Sequence, residues 1–244
     1  MRWHLLFTIA AWFVMPGLAQ ASTPIQASSP PEADKQQIIS WINASAQQKA
    51  STDSFSYQYV NLDEDDDLEI VAKENSSVHI GTFYVLDRRS DHQYALIAEK
   101  RWNVPQLQMK RWDITSYEEG SGWNRSDPDQ VGRIAGKRLF ETINHTGGTG
   151  IVVYEAHLWY LDNGNLIEAW SGTLQETAYE TGGNAYRTVG SYQLVDSESP
   201  PILYYWQTLL KLDPDSGQPL PAAPVTKLEI LTWENGTFQE KSSR

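Results

Sequence analysis

The sequence contains no cysteine, and its basic residues are fewer than its acidic ones. Lys and Arg together number 19 and Asp and Glu 31, which gives a formal net charge of -12 at pH 7. Without cysteine the chain has no disulfide bond and no thiol nucleophile, so its fold must be stabilised by its own core or by a bound metal. The acidic balance disfavours nucleic acid and anionic membrane surfaces and favours cations and neutral ligands.

Long apolar runs are also scarce. The run at residues 5–15 is about half of the roughly 20 residues that a membrane span needs. Because it follows Arg2 and is succeeded by small residues up to Ala21, it predicts a secretory signal peptide over residues 1–21. Its removal would change the charge to -12 - 1 = -13. We therefore expect a secreted protein, extracellular or periplasmic, with no membrane span.

The rest of the chain divides into segments that differ in composition and in the spacing of their apolar residues. Residues 22–31 are rich in Ser, Pro and Ala and predict a disordered linker. Residues 32–50 predict one amphipathic helix, because apolar residues such as Ile38 and Ile42 recur at helical spacing. Period-two patterns follow, so we predict a single β-rich domain over residues 32–244. The expected fold is an antiparallel hairpin meander, with sandwich, barrel and propeller-like arrangements all left open.

Turn residues separate the predicted strands. The pairs Asn163-Gly164 and Asn235-Gly236 favour tight hairpins, because both residues of a type I′ turn need a positive φ. The glycine-rich residues 145–150 predict a flexible loop. The strand-like runs cover residues 55–60, 68–72, 79–86, 94–98, 137–143, 151–161, 166–170, 192–195, 202–212, 227–233 and 237–240.

The densest charge in the chain lies at residues 63–69, where every residue except Leu68 is acidic. Such carboxylates repel one another unless a cation or water screens them. Calcium takes six to eight oxygen ligands from a loop that curls around it, and ligands at alternate positions meet that need. The alternate positions with a side-chain oxygen are Asn61, Asp63, Asp65, Asp67 and Glu69.

These residues resemble the calcium loop of FG-GAP and VCBS-type repeats, which occur in integrin-α-like β-propellers. The family pattern is Asp-x-Asp-x-Asp-Gly-x-x-Asp followed by an apolar strand, and residues 61–71 read Asn-Leu-Asp-Glu-Asp-Asp-Asp-Leu-Glu-Ile-Val. The resemblance implies a structural calcium ion held by the same five residues. Dockerin and EF-hand loops share the first half of the pattern but continue into a helix, whereas this loop continues into a short β-branched run.

The match departs from the family in two places and has a simpler alternative. Asp66 stands where the pattern has Gly, at a position that favours a left-handed backbone, and Asn61 replaces the first acid. The motif occurs once, and residues 213–217 begin like a second copy but lack the closing acid. A solvated acidic turn without metal is the alternative, since runs of charge usually are that.

Two further sets of residues are candidates for function. His145, Glu155 and His157 would form a metal or acid–base cluster if the fold brought them together, although no zinc-type spacing is present. Tryptophan residues are suited to stacking on sugars or peptides, and Trp123 in a glycine-rich stretch is the one expected to be exposed.

These observations favour a secreted, non-enzymatic, β-rich binding or structural module that is stabilised by calcium. We expect its partner to be an extracellular protein or a carbohydrate. The alternatives are a secreted hydrolase acting on polysaccharide or cell-wall material, through paired carboxylates or the His145/Glu155/His157 set, and a secreted inhibitor.

Overall fold

The computed structural model describes residues 34–63, 65, 67–89, 93–105, 107, 110–111, 133–180 and 182–240. The predicted signal peptide, the predicted linker and Trp123 lie outside these residues. Within them the protein is mainly β, with antiparallel sheets and one short helix, so the predicted fold class is confirmed.

The helix α1 spans Lys35–Ser45, which is shorter than the predicted residues 32–50. It begins at Lys35 because the Asp34 carboxylate accepts a 2.7 Å hydrogen bond from the backbone N–H of Gln37. It ends at Ser45, after which the chain turns; the Asn43 side chain holds this turn through two hydrogen bonds to the backbone of Ala50. No helix in the described part of the chain is long and apolar enough to cross a membrane.

A four-stranded sheet, which we call sheet A, follows the helix. Neighbouring strands in the sheet are also neighbours in sequence, and all pairs are antiparallel. Short hairpin connections produce this order without any crossover. The strands are β1 (Phe55–Val60), β2 (Glu69–Asn75), β3 (Gly81–Arg88) and β4 (Tyr94–Lys100).

The second and larger sheet, sheet B, has the strand order β14-β13-β12-β11-β10-β9-β8-β5. Two short strands, β6 (Arg133–Ile134) and β7 (Lys137–Arg138), pair only with each other. From β8 to β14 the chain is again a meander of successive antiparallel hairpins. The strands of sheet B are β5 (Lys110–Arg111), β8 (Phe140–Gly148), β9 (Ile151–Asp162), β10 (Asn165–Tyr179), β11 (Ala185–Val195), β12 (Ile202–Leu212), β13 (Val225–Glu234) and β14 (Thr237–Glu240).

Three apolar clusters hold these layers together. Helix α1 packs on one face of sheet A through Ile38 and Ile42. The other face of sheet A packs on sheet B, where Phe83 of β3 meets Phe140 and Trp159. A third cluster lies against β9 and β10 and includes Leu203 of β12. Strands β2 and β3 are therefore buried on both faces, and the acidic loop enters this buried layer.

The prediction of a flexible loop at residues 145–150 is wrong. Strand β8 continues through Gly148, and only the hairpin turn to β9 remains outside the strands. Cross-strand pairing with β9 reaches Gly148, because glycine in an antiparallel strand still supplies both of its backbone hydrogen-bonding groups. The Asn163-Gly164 and Asn235-Gly236 turns are confirmed, with positive φ at all four residues.

Candidate metal centre

The acidic loop connects β1 to β2 and is anchored at both ends. Val60 pairs with Glu69 in the antiparallel register, so the intervening residues form the loop. Leu62 is 1% exposed and belongs to the apolar cluster between the two sheets. An apolar side chain near the start of the acidic stretch thus fixes the loop to the core, while Asp63, Asp65 and Asp67 remain at least partly exposed.

Side-chain to backbone hydrogen bonds curl the loop. The Asp63 carboxylate accepts from the backbone N–H of Asp65 at 3.0 Å, and the Asp65 carboxylate accepts from that of Asp67 at 2.8 Å. The Asn61 amide donates to the carbonyl oxygen of Asp65 at 2.5 Å. These local bonds are the turns that Asp and Asn favour, and they direct alternate side chains toward one point.

Three of the five predicted ligands converge. One carboxylate oxygen from each of Asp63, Asp65 and Glu69 lies within 4.8 Å of the other two. Asp65 is exposed, Asp63 is intermediate and Glu69 is fully buried. The cluster is therefore open to solvent on one side and closed by the protein on the other.

Glu69 is the most unusual member of this cluster. Its Oε2 accepts a 2.5 Å hydrogen bond from the backbone N–H of Leu62. Its Oε1 is buried and has no hydrogen-bond partner among the residues that the structure describes. A buried acceptor without a hydrogen-bond partner costs about 1–3 kcal/mol of stability. A hydrogen-bond donor or a cation bound to Oε1 would remove this cost.

The same burial changes the protonation of Glu69. Desolvation, together with the nearby charges of Asp63, Asp65 and Asp87 and against the Leu62 hydrogen bond, raises the pKa of its carboxyl group from 4.5 to about 7. Either a proton or a cation is therefore needed to neutralise this carboxylate near neutral pH. A proton on Glu69 leaves the repulsion between Asp63 and Asp65 in place. A divalent cation offsets both this repulsion and the charge of Glu69.

The other two predicted ligands have arginine partners. Arg88 of β3 forms an ion pair with the Asp67 carboxylate. Arg138 of β7 donates to the side-chain oxygen of Asn61 and to the carbonyl oxygen of Asp63. These two arginines thus offset negative charge at the rim of the loop. Among the described ion pairs, none joins an arginine to a carboxylate of the Asp63/Asp65/Glu69 cluster.

The donor set fits a hard divalent cation. Three carboxylates would supply three oxygen ligands, or more where a carboxylate binds through both oxygens, and further oxygen ligands would be needed to reach a shell of six to eight. No histidine joins the cluster among the described residues, so a softer metal that prefers nitrogen or sulfur is less well matched. Because the shell faces solvent on one side, it suits a structural ion in a loop.

The second candidate set is only partly assembled. His157 and Glu155 do come together, with Nε2 and Oε2 3.4 Å apart, but this contact lacks hydrogen-bond geometry, and Nε2 has no partner among the described residues. The stronger partner is Glu168 of β10, which lies 2.7 Å from His157 Nδ1. That hydrogen bond is the main cause that lowers the pKa of the Glu168 carboxyl group.

Trp102 covers the His157 ring. The two rings stack with centroids 4.2 Å apart and an interplanar angle of 20°, and His157 is 5% exposed. A histidine with one nitrogen bonded to a carboxylate and its ring face under an indole is held in place. This geometry ties the segment after β4 to sheet B, and it offers little access for a substrate.

His145 does not join this cluster. It pairs with Tyr154 across β8 and β9, and their rings stack at 4.4 Å. Its other ring contact is His79 in the connection between β2 and β3, at 4.9 Å. Burial, followed by the proximity of His79, lowers the pKa of His145, which favours the neutral ring.

Sequence reasoning missed Glu168 and the two arginines. Glu168 could have been found, because the Asn163-Gly164 turn fixes the β9–β10 register and places Glu168 opposite Trp159, beside His157. Arg88 and Arg138 reach the loop from other hairpins, and no local pattern in the sequence links them to it. Compared with known protein families, curated proteins and solved structures, the chain gives no match.

Proposed function

We propose that this protein is a secreted, non-enzymatic, β-rich binding module in which the acidic loop holds one calcium ion as a structural element. The observation that carries the proposal is the buried Oε1 of Glu69, which has no hydrogen-bond partner among the described residues and lies beside the carboxylates of Asp63 and Asp65. An ion at this point would receive ligands from the loop and from the first residue of a central strand. It would therefore couple the loop to the core.

The role of the ion follows from the position of Glu69 in the fold. Glu69 is the first residue of β2, and the strand that it begins is buried between helix α1 and sheet B. An ion that neutralises Glu69 stabilises the folded state without the disulfide bonds that many secreted proteins use. The surroundings of His157 give less support to a hydrolase, because the ring is bonded to Glu168 and covered by Trp102.

The test is thermal unfolding of the full chain in calcium and in chelator. Extracellular calcium modules have dissociation constants of about 10⁻⁴–10⁻³ M, so about 10 mM calcium should stabilise the protein by roughly 1.4–2.7 kcal/mol. For a domain of this size we expect the unfolding midpoint to rise by roughly 3–10 °C. The Asp63→Ala/Asp65→Ala variant should lose this rise.

A matched control is the Asp213→Ala/Asp215→Ala variant. It removes two acids from the other Asp-rich turn, where Asp213 accepts hydrogen bonds from Ser216, and it should keep the full calcium response. In chelator the Asp63→Ala/Asp65→Ala variant loses two repelling charges but also the two hydrogen bonds that curl the loop, so the quantity compared is the calcium-induced change within each protein. A midpoint that is the same in calcium and in chelator would overturn the calcium site.

A further inference from the structure

The middle of one face of the β11–β12–β13 part of sheet B carries no charged residue, while Arg187 of β11 and Glu234 of β13 continue the same face at its two ends. Its members follow from the regular cross-strand register and from the alternation of side chains along each strand. The intervening residues, such as Leu203, Tyr205 and Leu231, point the other way into the core. We call it the uncharged face, and it comprises Val189, Ser191, Gln193, Val195, Ile202, Tyr204, Trp206, Thr208, Thr226, Leu228, Ile230 and Thr232.

The uncharged face is open to solvent and apolar at its centre. Leu228 and Ile230 are each 48% exposed and Val189 is 45% exposed. Beside them, the half-buried rings of Tyr204 and Trp206 stack with centroids 6.2 Å apart and an interplanar angle of 24°. Exposed apolar surface arranged as one patch, rather than scattered singly, is typical of a binding site.

The absence of charge on this face is selective. Within the middle of β13, Lys227 and Glu229 alternate with Leu228 and Ile230, and they pair with each other on the opposite side at 2.6 Å. Glu234, the last residue of the strand, is the charge of β13 that follows Leu228 and Ile230 on their own side. The chain as a whole has a net charge of -12. A surface whose middle is uncharged, and whose two ends carry one charge of each sign, matches a neutral ligand better than an ionic one.

We infer that the uncharged face binds a neutral polysaccharide, which rests on the proposed function as a binding module and specifies its partner. The C–H groups of a sugar ring are weakly positive and pack on the negative faces of aromatic rings such as Tyr204 and Trp206. Thr208 and Thr226, whose hydroxyl groups are 3.0 Å apart, and Gln193 supply uncharged hydrogen-bonding groups for sugar hydroxyls.

The dimensions of the face separate this ligand from a second copy of the chain. Three strands and seven residues of length give a footprint of about 10 Å by 20 Å, or roughly 200–300 Å² with side chains. A stable protein–protein interface needs about 800 Å² from each partner. Two copies would also bring together two acidic molecules. A narrow, uncharged polymer chain fits the small area of the uncharged face, and it is not repelled by the acidic protein.

The test measures retention of the full chain on neutral polysaccharides. Insoluble cellulose, insoluble chitin and soluble amylose are the probes, and polygalacturonate is the anionic comparison. We expect retention on at least one neutral polymer and none on polygalacturonate. Trp206→Ala should weaken binding about tenfold and Tyr204→Ala/Trp206→Ala further, because each stacked aromatic contributes about 0.5–1.5 kcal/mol.

The matched control is Leu209→Ala, which alters an exposed residue of the same strand on the opposite face. It should bind within about twofold of the unaltered protein. Each variant must keep the calcium-induced rise in unfolding midpoint. This control distinguishes loss of binding at the uncharged face from damage to the acidic loop. Three outcomes would overturn the inference: no retention on any neutral polymer, equal loss in Trp206→Ala and Leu209→Ala, or a dimer in solution that Trp206→Ala dissociates.

Discussion

Glu69 begins strand β2 with its carboxyl group fully buried, and its two oxygens are in different situations. Oε2 is bonded to the backbone of Leu62, whereas Oε1 has no partner in the part of the chain that the structure describes. Burial and the neighbouring acids raise its pKa to about 7. The carboxyl group of an unfolded chain titrates near 4.5, so Glu69 links folding to pH when no cation is bound.

The sign of this linkage gives a prediction for calcium-free protein. Because the folded-state pKa is the higher one, folding favours the protonated form, and the stability that Glu69 contributes is complete below pH 4.5. It is lost as the pH rises through about 7, by roughly 3 kcal/mol in total. Glu69→Gln, which stays neutral, should lack this loss.

Chemical denaturation of both proteins from pH 4 to pH 8 in calcium-free buffer checks the prediction. Other groups titrate in the same range, so the relevant quantity is the difference in unfolding free energy between the unaltered protein and Glu69→Gln. That difference should shift in favour of Glu69→Gln as the pH rises. A difference that is constant with pH would show that the buried carboxyl group is not the linked group.

At the scale of elements, strand β10 shows where sequence patterns stop predicting structure. Its apolar pattern ends at Trp170, but the strand continues to Tyr179 through two irregularities in its register with β9. Ser171, Gly172 and Thr173 have no apolar period, and their strand conformation comes from pairing with β9 rather than from their own propensity. Turn residues were predictable because the Asn-Gly requirement is local.

The acidic loop shows the same contrast between features that local sequence determines and features that tertiary contacts determine. Alternate spacing predicted five ligands, Asn61, Asp63, Asp65, Asp67 and Glu69. Of these, Asp63, Asp65 and Glu69 converge, because the loop curls through hydrogen bonds between near neighbours. The ion pair of Asp67 with Arg88 depends on the packing of another hairpin. Local geometry was therefore predictable from residues 61–69, whereas the compensation of charge around the loop depended on tertiary structure.

Close contact between β10 and β11 gives a second prediction. A Cβ atom on Gly190 would overlap the carbonyl oxygen of Thr173 and lie 3.3 Å from the Tyr205 ring. The backbone there cannot move without disturbing the Tyr205 hydroxyl, which donates a 2.8 Å hydrogen bond to the same carbonyl. Gly190→Ala should therefore destabilise the fold by about 1–3 kcal/mol or more.

Gly148→Ala is the matched control for this substitution. Gly148 also lies in a strand of sheet B, but a Cβ atom added to it would have no heavy atom of the described residues within 4 Å beyond its chain neighbours. The effect of this substitution should stay within about 0.5 kcal/mol. Denaturant unfolding of both variants measures the contrast, and similar effects at Gly190 and Gly148 would refute the close approach of β10 to β11.

At the scale of the whole molecule, one aromatic group joins the two sheets. Trp159 of β9 is fully buried, and its ring centroid lies 5.9 Å from that of Phe83 in sheet A and 5.3 Å from that of Phe140 in sheet B. Its indole N–H donates a 2.9 Å hydrogen bond to the Thr142 hydroxyl. The same cluster contains Leu62, so the acidic loop and both sheets share one core.

This shared core predicts that both sheets and the loop unfold together. Trp159→Ala should lower the unfolding free energy by about 3–5 kcal/mol, and Thr142→Val, which leaves the buried indole N–H without its acceptor, by about 1–3 kcal/mol. Thr142→Val serves as the measurable variant where Trp159→Ala is too unstable to fold. Leu228→Ala, an exposed change on the uncharged face, should stay within about 0.5 kcal/mol.

Cooperativity is checked by following unfolding with two probes, far-ultraviolet circular dichroism for the strands and tryptophan fluorescence for the core. If the layers share one core, the two curves coincide for the unaltered protein and for Thr142→Val, and calcium moves both by the same amount. The proposed calcium ion would act at the β1–β2 loop, yet most tryptophan residues of the described chain lie in sheet B or next to it. A calcium shift seen in one probe alone would mean that the loop and sheet B unfold separately.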